Sequence, residues 1–386
     1  MTLRTFLSRS PRPRDIWAYL SAACLFWLLI LNRWVVTSIG LKSYGRVWQN
    51  QISYGELGFI KRTLWGTFLT ITGLNKVPAN EYVNAYLIHG VVLALISAFI
   101  TIYIFRNANR LSNAHAVLIY SSPAFLSFLA YSLGTLDVVV SLFLVYSSLF
   151  VRSYWRLGII AIIGLLVHES YFFFVPFIAI NNVLMTSPHM AASWRSILKQ
   201  VFPTLLLPLI ALIALKLFDP AIPDWRTFEP FMRAKLPNAA YQCPYWSGYF
   251  ELYSPLSENL KLIYGDLPLI TDKLYISTIP ILYLVGLVVY LSRSRSIISV
   301  RIKTVYVITA LGPLAISLVA NDYLRWINLS SILCVLAILN SQVAGTIKGD
   351  PWKLARLIPF ALFGPFGRAI DYSMPIHQFF LERILR

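Results

Sequence analysis

Charge is what this chain has least of. Only 13% of its 386 residues are charged, and carboxylates are scarcer still, with 16 Asp and Glu against 33 Lys and Arg. In a chain that is 58% hydrophobic, so little charge leaves no stretch polar enough to form a soluble domain of useful size. Cysteine is nearly absent. Cys24, Cys243 and Cys334 lie far apart, two of them in apolar stretches, which excludes a disulfide framework and a cysteine metal cluster. Ser21-Ala22-Ala23-Cys24 is followed by more apolar residues, so it reads as part of a retained first span rather than a cleaved lipoprotein signal. The net charge of +17 suggests nucleic acid, but the basic residues are scattered at the ends of apolar runs. That pattern is membrane topology rather than a binding stripe, and it excludes nucleic acid as a partner.

What the chain does have is long apolar runs. They predict an all-α polytopic transmembrane helix bundle of about 10–11 spans, forming a single transmembrane domain over residues 1–386. The expected spans are Ile16–Val36, Tyr82–Phe105, Ala116–Tyr131 and Val138–Val151. Leu157–Met185 is too long for one span and is broken at His168-Glu169 into two short helices, the second bent by Pro176. Val201–Leu217 and Leu274–Leu291 follow, then a span ending near Asn321, and Ile327–Leu339. Ala355–Phe366 stays open as a re-entrant, interfacial or last segment. Residues 219–273, rich in Pro, Tyr and Trp, form a large loop on the outer side, and such aromatic content argues for order. With the N-terminus cytoplasmic, the internal segments hold most of the Lys and Arg but only four of the 16 acids, namely Asp15, Asp350, Asp371 and Glu382. Carboxylate chemistry is therefore expected on the extracytoplasmic side.

The first outer loop holds Glu56, Lys61 and Arg62 ahead of apolar residues at helical spacing. Leu57–Ile71 reads as one amphipathic helix lying along the membrane surface, with Glu56 at its start. Glu56 has two readings there: a capping charge at a helix N-terminus, or a catalytic acid at the bilayer surface. Three further polar groups fall on the same side, and each also has a local reading. Asp137 suits an N-cap, His168 with Glu169 suits a buried polar pair, and Asp322 with Arg325 suits an i,i+3 ion pair. Together they suit sugar transfer from a lipid phosphate. An acceptor hydroxyl needs a carboxylate base, for which Glu56 or Asp137 serves, and a departing phosphate needs fixed cations, for which Lys61, Arg62 and Arg325 serve.

The first-loop acid followed by an amphipathic helix, then Gly134-Thr135-Leu136-Asp137-Val138-Val139-Val140-Ser141-Leu142-Phe143, resembles the GT-C superfamily of polyprenyl-phosphate-sugar glycosyltransferases. The break and proline in Gly164-Leu165-Leu166-Val167-His168-Glu169-Ser170-Tyr171-Phe172-Phe173-Phe174-Val175-Pro176 add to the likeness, which covers about residues 15–185 and is one of layout more than of letters. The resemblance implies that Glu56 and Asp137 are the catalytic or metal-assisting carboxylates. It also implies a polyprenyl-linked sugar donor and a glycan or lipid-linked acceptor; eukaryotic endoplasmic-reticulum members share the layout, and the compact length and short loops favour a bacterial inner membrane. The first loop carries a lone Glu where paired acids are common, so the metal stays open, with Mg²⁺ or Mn²⁺ equally suited to carboxylates. The related O-antigen polymerase groups use outward Arg and His residues; on that alternative the site depends on Arg325 and His168 more than on Glu56. A lipid-linked sugar flippase or transporter predicts internal repeats and midplane charges, neither of which is evident. A purely structural membrane subunit is the remaining alternative.

Overall fold

The computed structural model describes residues 2–36, 47–57, 62–76, 81–186, 194–217, 225–235, 277–318, 323–363 and 366. Lys61, Asp322, Cys243 and most of the 219–273 loop lie outside the described residues. The fold is all-α. Among the described residues, the sole strand pairing is between β1, Arg295–Ser296, and β2, Ile347–Lys348.

In chain order the helices are α1 Leu3–Ser8, α2 Pro13–Val36, α3 Tyr54–Leu57, α4 Leu64–Thr72, α5 Glu81–Arg106, α6 Asn113–Ser121, α7 Leu126–Tyr131 and α8 Leu136–Phe150. They continue with α9 Tyr154–Val167, α10 Val175–Thr186, α11 Trp194–Leu217, α12 Trp225–Lys235, α13 Thr278–Arg293, α14 Val300–Ala310, α15 Tyr323–Ala344 and α16 Pro351–Ala355. Short 3-10 turns at Glu169–Phe174 and Gly312–Leu318 pack near one another, and the position of a Gly312 Cβ lies 2.7 Å from the Phe173 carbonyl. By length and composition, two helices could cross a membrane: Val83–Arg106, within α5, and Tyr323–Ala344. The apolar helices Leu136–Phe150, Tyr154–Val167, Val201–Leu215 and Thr278–Arg293 are shorter.

Helix α15 is the axis of the fold, with all but three of its 22 residues buried. A helix buried all round carries no amphipathic stripe. At one of its ends, Asn340 accepts from the Tyr103 hydroxyl at 2.7 Å and donates to the Ser148 carbonyl, while Asn181 accepts from the Tyr306 hydroxyl at 2.7 Å. Cations cap three helix C-termini in that region. Arg152 donates to the Ser148, Leu149 and Val151 carbonyls, Arg110 to Val343, and Lys303 to Ser292 and Ser294. A positive charge against the last carbonyls of a helix is favourable.

Several expected elements differ in detail. The single helix over Leu57–Ile71 is instead α3 and α4, separated at Arg62, whose φ of 68° is left-handed, and at Thr63, which caps α4. A non-glycine residue at positive φ does not continue a right-handed helix. The span over Ala116–Tyr131 divides into α6 and α7 because Pro123 forces Ser122 out of the helical region. Pro176 is the second residue of α10 and so starts that helix rather than bending it, since a first-turn N–H has no partner to lose. The described residues of 355–366, left open between a re-entrant, interfacial or last segment, hold the end of α16 and a 3-10 turn, with Phe360 and Phe366 against the Tyr283 ring.

The break at His168-Glu169 is present, and Gly164 explains how the chain folds back there. The position a Cβ would take at Gly164 lies 2.6 Å from the Tyr171 ring, so the Glu169–Phe174 turn packs directly on α9. Gly164→Ala is therefore expected to cost about 1–3 kcal/mol through overpacking. An unchanged unfolding midpoint of the purified variant in detergent would contradict this packing.

Candidate functional site

Five side chains from four separate regions of sequence meet at the end of the bundle opposite Asn340. Asp137 is the second residue of α8, behind the cap Thr135, so it is not itself the N-cap. Its carboxylate accepts from Arg325 Nε at 2.7 Å and also from Arg325 Nη2, across 188 residues of sequence. Asp137 and Arg325 are 1% and 4% exposed, so the charge of each is compensated by the other rather than by water. Arg325 stacks on Trp326, with its guanidinium carbon 4.7 Å from the ring centre, and its Nη2 lies 3.0 Å from His168 Nε2.

His168 sits in extended backbone between α9 and the 3-10 turn, a position that brings its ring into the bundle. Both ring nitrogens face donors, since Arg325 Nη2 approaches Nε2 and the Ser170 N–H approaches Nδ1 at 3.1 Å. An imidazolium has no lone pair to accept from either. The ring is therefore neutral, and its one lone pair accepts from one of these two donors. Nδ1 is also 3.5 Å from Glu169 Oε2. Glu169 in turn accepts from Arg62, with Nε 3.0 Å from both carboxylate oxygens and Nη2 closer still to Oε1.

The result is a continuous line: Asp137, Arg325, His168, Glu169, Arg62. Asp137, Arg325 and His168 are buried, whereas Glu169 is 31% exposed and Arg62 11% exposed. The cluster thus has a buried inner pair and an accessible outer pair. Its formal charge is zero, two guanidiniums against two carboxylates.

Glu56 is placed differently. Its Oε2 accepts from the Ser53 N–H at 3.1 Å and the Ser53 hydroxyl at 3.0 Å, which is the reach-back of a capping box at the start of α3. Its Oε1 pairs with Lys235 at the end of α12. Phe228 and Met232 of that helix are buried, which seats the described part of the large loop against the rest of the fold. Of the two expected catalytic carboxylates, Glu56 caps a helix beside a lysine, and Asp137 is enclosed with Arg325. Lys61 and Asp322 lie outside the described residues.

Among the described residues no group of three or more His, Cys, Asp or Glu side chains gathers as a metal site. Asp137 and Glu169 each face a guanidinium, so these residues do not make a ready divalent-cation cage. Three participants escaped the sequence reading. Lys235 carried no distinguishing signal. Asn50 and His89 tie the Gly134 turn to the first loop, and a histidine within the apolar run of α5 was the available signal for the second. No family model, curated protein or solved structure matches the chain, so its functional reading rests on this geometry alone.

Proposed function

We propose that the protein is a polytopic membrane glycosyltransferase that moves a sugar from a polyprenyl-linked donor to a glycan or lipid-linked acceptor at the extracytoplasmic face of a bacterial inner membrane. The observation that carries this reading is the line of two guanidiniums, a neutral imidazole and two carboxylates, gathered at one end of an apolar bundle. Phosphate release needs cations, and acceptor activation needs a carboxylate. Both are present within one connected group.

Several features support the membrane setting. Val83, Leu87, Val91 and Leu95 of α5 leave an apolar ridge exposed at four-residue spacing, and Leu209, Ile213 and Leu217 do the same on α11 with Ile210 beside them. Exposed apolar faces of this extent suit lipid. Arg110, Arg152 and Lys303 cap helices at the end opposite the cluster, in agreement with an internal cationic face. An apolar groove of about 720 Å³ between α2 and α5, lined by Trp17, Cys24, Tyr86, Leu93 and Phe105, reaches Leu133, next to the Gly134 turn. It gives a hydrocarbon chain a path toward the cluster.

The roles follow from accessibility. Arg62 and Glu169, the outer pair, are the groups a substrate meets first. A donor phosphate draws Arg62 away from Glu169, because a guanidinium binds phosphate through the same bidentate fork it offers a carboxylate. Glu169 is thereby released to take the acceptor proton, with the His168 ring beside it. Arg325 adds positive charge on the inner side, and Asp137 holds Arg325 in place. This assigns the base to Glu169 and makes Asp137 a support. The repeat-unit polymerase reading is favoured by the same observation, since Arg325 and His168 are central and Glu56 is a cap.

The test is incubation of purified protein with a synthetic polyprenyl-phosphate donor carrying labelled sugar. Glycosidic bond formation supports the proposal. Movement of the intact donor across a vesicle membrane without bond formation overturns it in favour of a flippase.

A further inference from the structure

The turn that presents Asp137 is gripped from outside the charged cluster. Gly134 has a φ of 87°, a conformation natural to glycine, and both of its backbone polar groups are taken by buried side chains. Its N–H donates to His89 Nδ1 at 3.1 Å, and its carbonyl accepts from Asn50 Nδ2 at 3.3 Å. His89 Nε2 lies 2.8 Å from Asn50 Oδ1, which also accepts from Trp65 Nε1 at 2.9 Å. These contacts fix the tautomer. The Gly134 N–H needs a lone pair on Nδ1, so the ring proton is on Nε2 and is donated to Asn50. Every one of these bonds is satisfied by a single neutral imidazole.

His89 and Asn50 are both fully buried. A histidine inside an apolar helix is costly unless it is paired, and here the pairing joins three pieces of chain: the 47–50 segment, α5 and the Gly134 turn. Trp65 adds α4 as a fourth. Asp137 follows Gly134 by three residues and is itself steadied by Thr135, whose hydroxyl is 3.4 Å from Oδ2. Asn50 alone holds only the carbonyl side of the turn.

We propose that His89 is a positioning residue for the transfer reaction, which clamps the Gly134 N–H so that Asp137 meets Arg325 in the orientation the cluster requires. This rests on the glycosyl-transfer reading above. The clamp depends on an acceptor at the δ position of residue 89, which separates two substitutions of similar size. His89→Asn keeps an acceptor at that position, whereas His89→Gln keeps only groups one bond further out.

The experiment measures labelled-sugar transfer per folded molecule, together with hydrogen exchange of the peptide containing Gly134, for wild type, H89N and H89Q in detergent. H89Q is expected to lose on the order of 10²-fold in kcat, the scale of a small misplacement of a reacting group, with donor KM changed less than about twofold. H89N is expected to recover most of that loss. Exchange at Gly134 should be fast in H89Q and slow in H89N. Equal kcat in all three proteins, equal impairment of both variants, or unaltered exchange in H89Q would overturn the proposal. If wild-type protein forms no glycosidic bond, the functional reading fails, and the exchange comparison alone decides whether His89 clamps the turn.

Discussion

Arg325→Ala is expected to lower the stability of the protein by about 3–5 kcal/mol, the cost of leaving one member of a buried ion pair without its partner. The Asp137 carboxylate is 1% exposed, so water cannot replace the guanidinium. The same change strips His168 Nε2 of its donor and removes the cation stacked 4.7 Å over Trp326. Arg325→Lys should recover only part, because an ammonium lacks the planar fork that meets both Asp137 and His168. Replacing both Asp137 and Arg325 by leucine should restore most of the loss, since the penalty comes from the unpaired charge. Denaturant unfolding of the purified proteins in one detergent reads all of these. A change under about 1 kcal/mol for Arg325→Ala, the scale of an exposed pair, would show that this pair is not enclosed as described.

The second large effect is on catalysis. Glu169→Gln preserves the size of the side chain and an oxygen for Arg62, but removes the proposed base. It is expected to reduce kcat on the order of 10²–10⁴-fold, the usual contribution of a positioned general base, with little change in donor KM. Stability should move by less than about 1 kcal/mol, because Glu169 is 31% exposed and its pairing is partly solvated. Arg62→Ala should behave differently and raise donor KM, because Arg62 is proposed to hold the phosphate rather than to move a proton. The split between the two variants is read from steady-state kinetics over a range of donor concentrations.

Much of the fold was legible because apolar runs and their punctuation are local signals. The Glu81–Arg106 and Leu136–Phe150 helices lie within a few residues of the expected spans, and the break at His168 is where the polar dipeptide interrupts the run. Apolar length alone hides two breaks. Pro123 divides the single span expected over Ala116–Tyr131, and the left-handed backbone of Arg62 interrupts the helix expected over 57–71, which no side-chain periodicity reveals. The candidate site was legible as a set of residues and not as a set of pairs. Arg325 reaches Asp137 across 188 residues and Arg62 reaches Glu169 across 107, whereas Asp322, the other half of the expected local ion pair, lies outside the described residues. Such partners are chosen by helix packing. Glu56 shows the converse, since Ser53 three residues before it already spelled a capping box.

With Glu169 proposed as the reacting carboxylate and Glu56 as a cap, the most direct measurement compares Glu56→Gln with Glu169→Gln in the same labelled-sugar transfer assay, at saturating donor and per folded molecule. Glu56→Gln should keep kcat within about threefold of wild type, because Glu56 holds a helix start and a lysine and is not the proposed base, while Glu169→Gln falls at least about 100-fold. The reverse order, with Glu56→Gln inactive and Glu169→Gln near wild type, would contradict the account and return the reaction to the first loop.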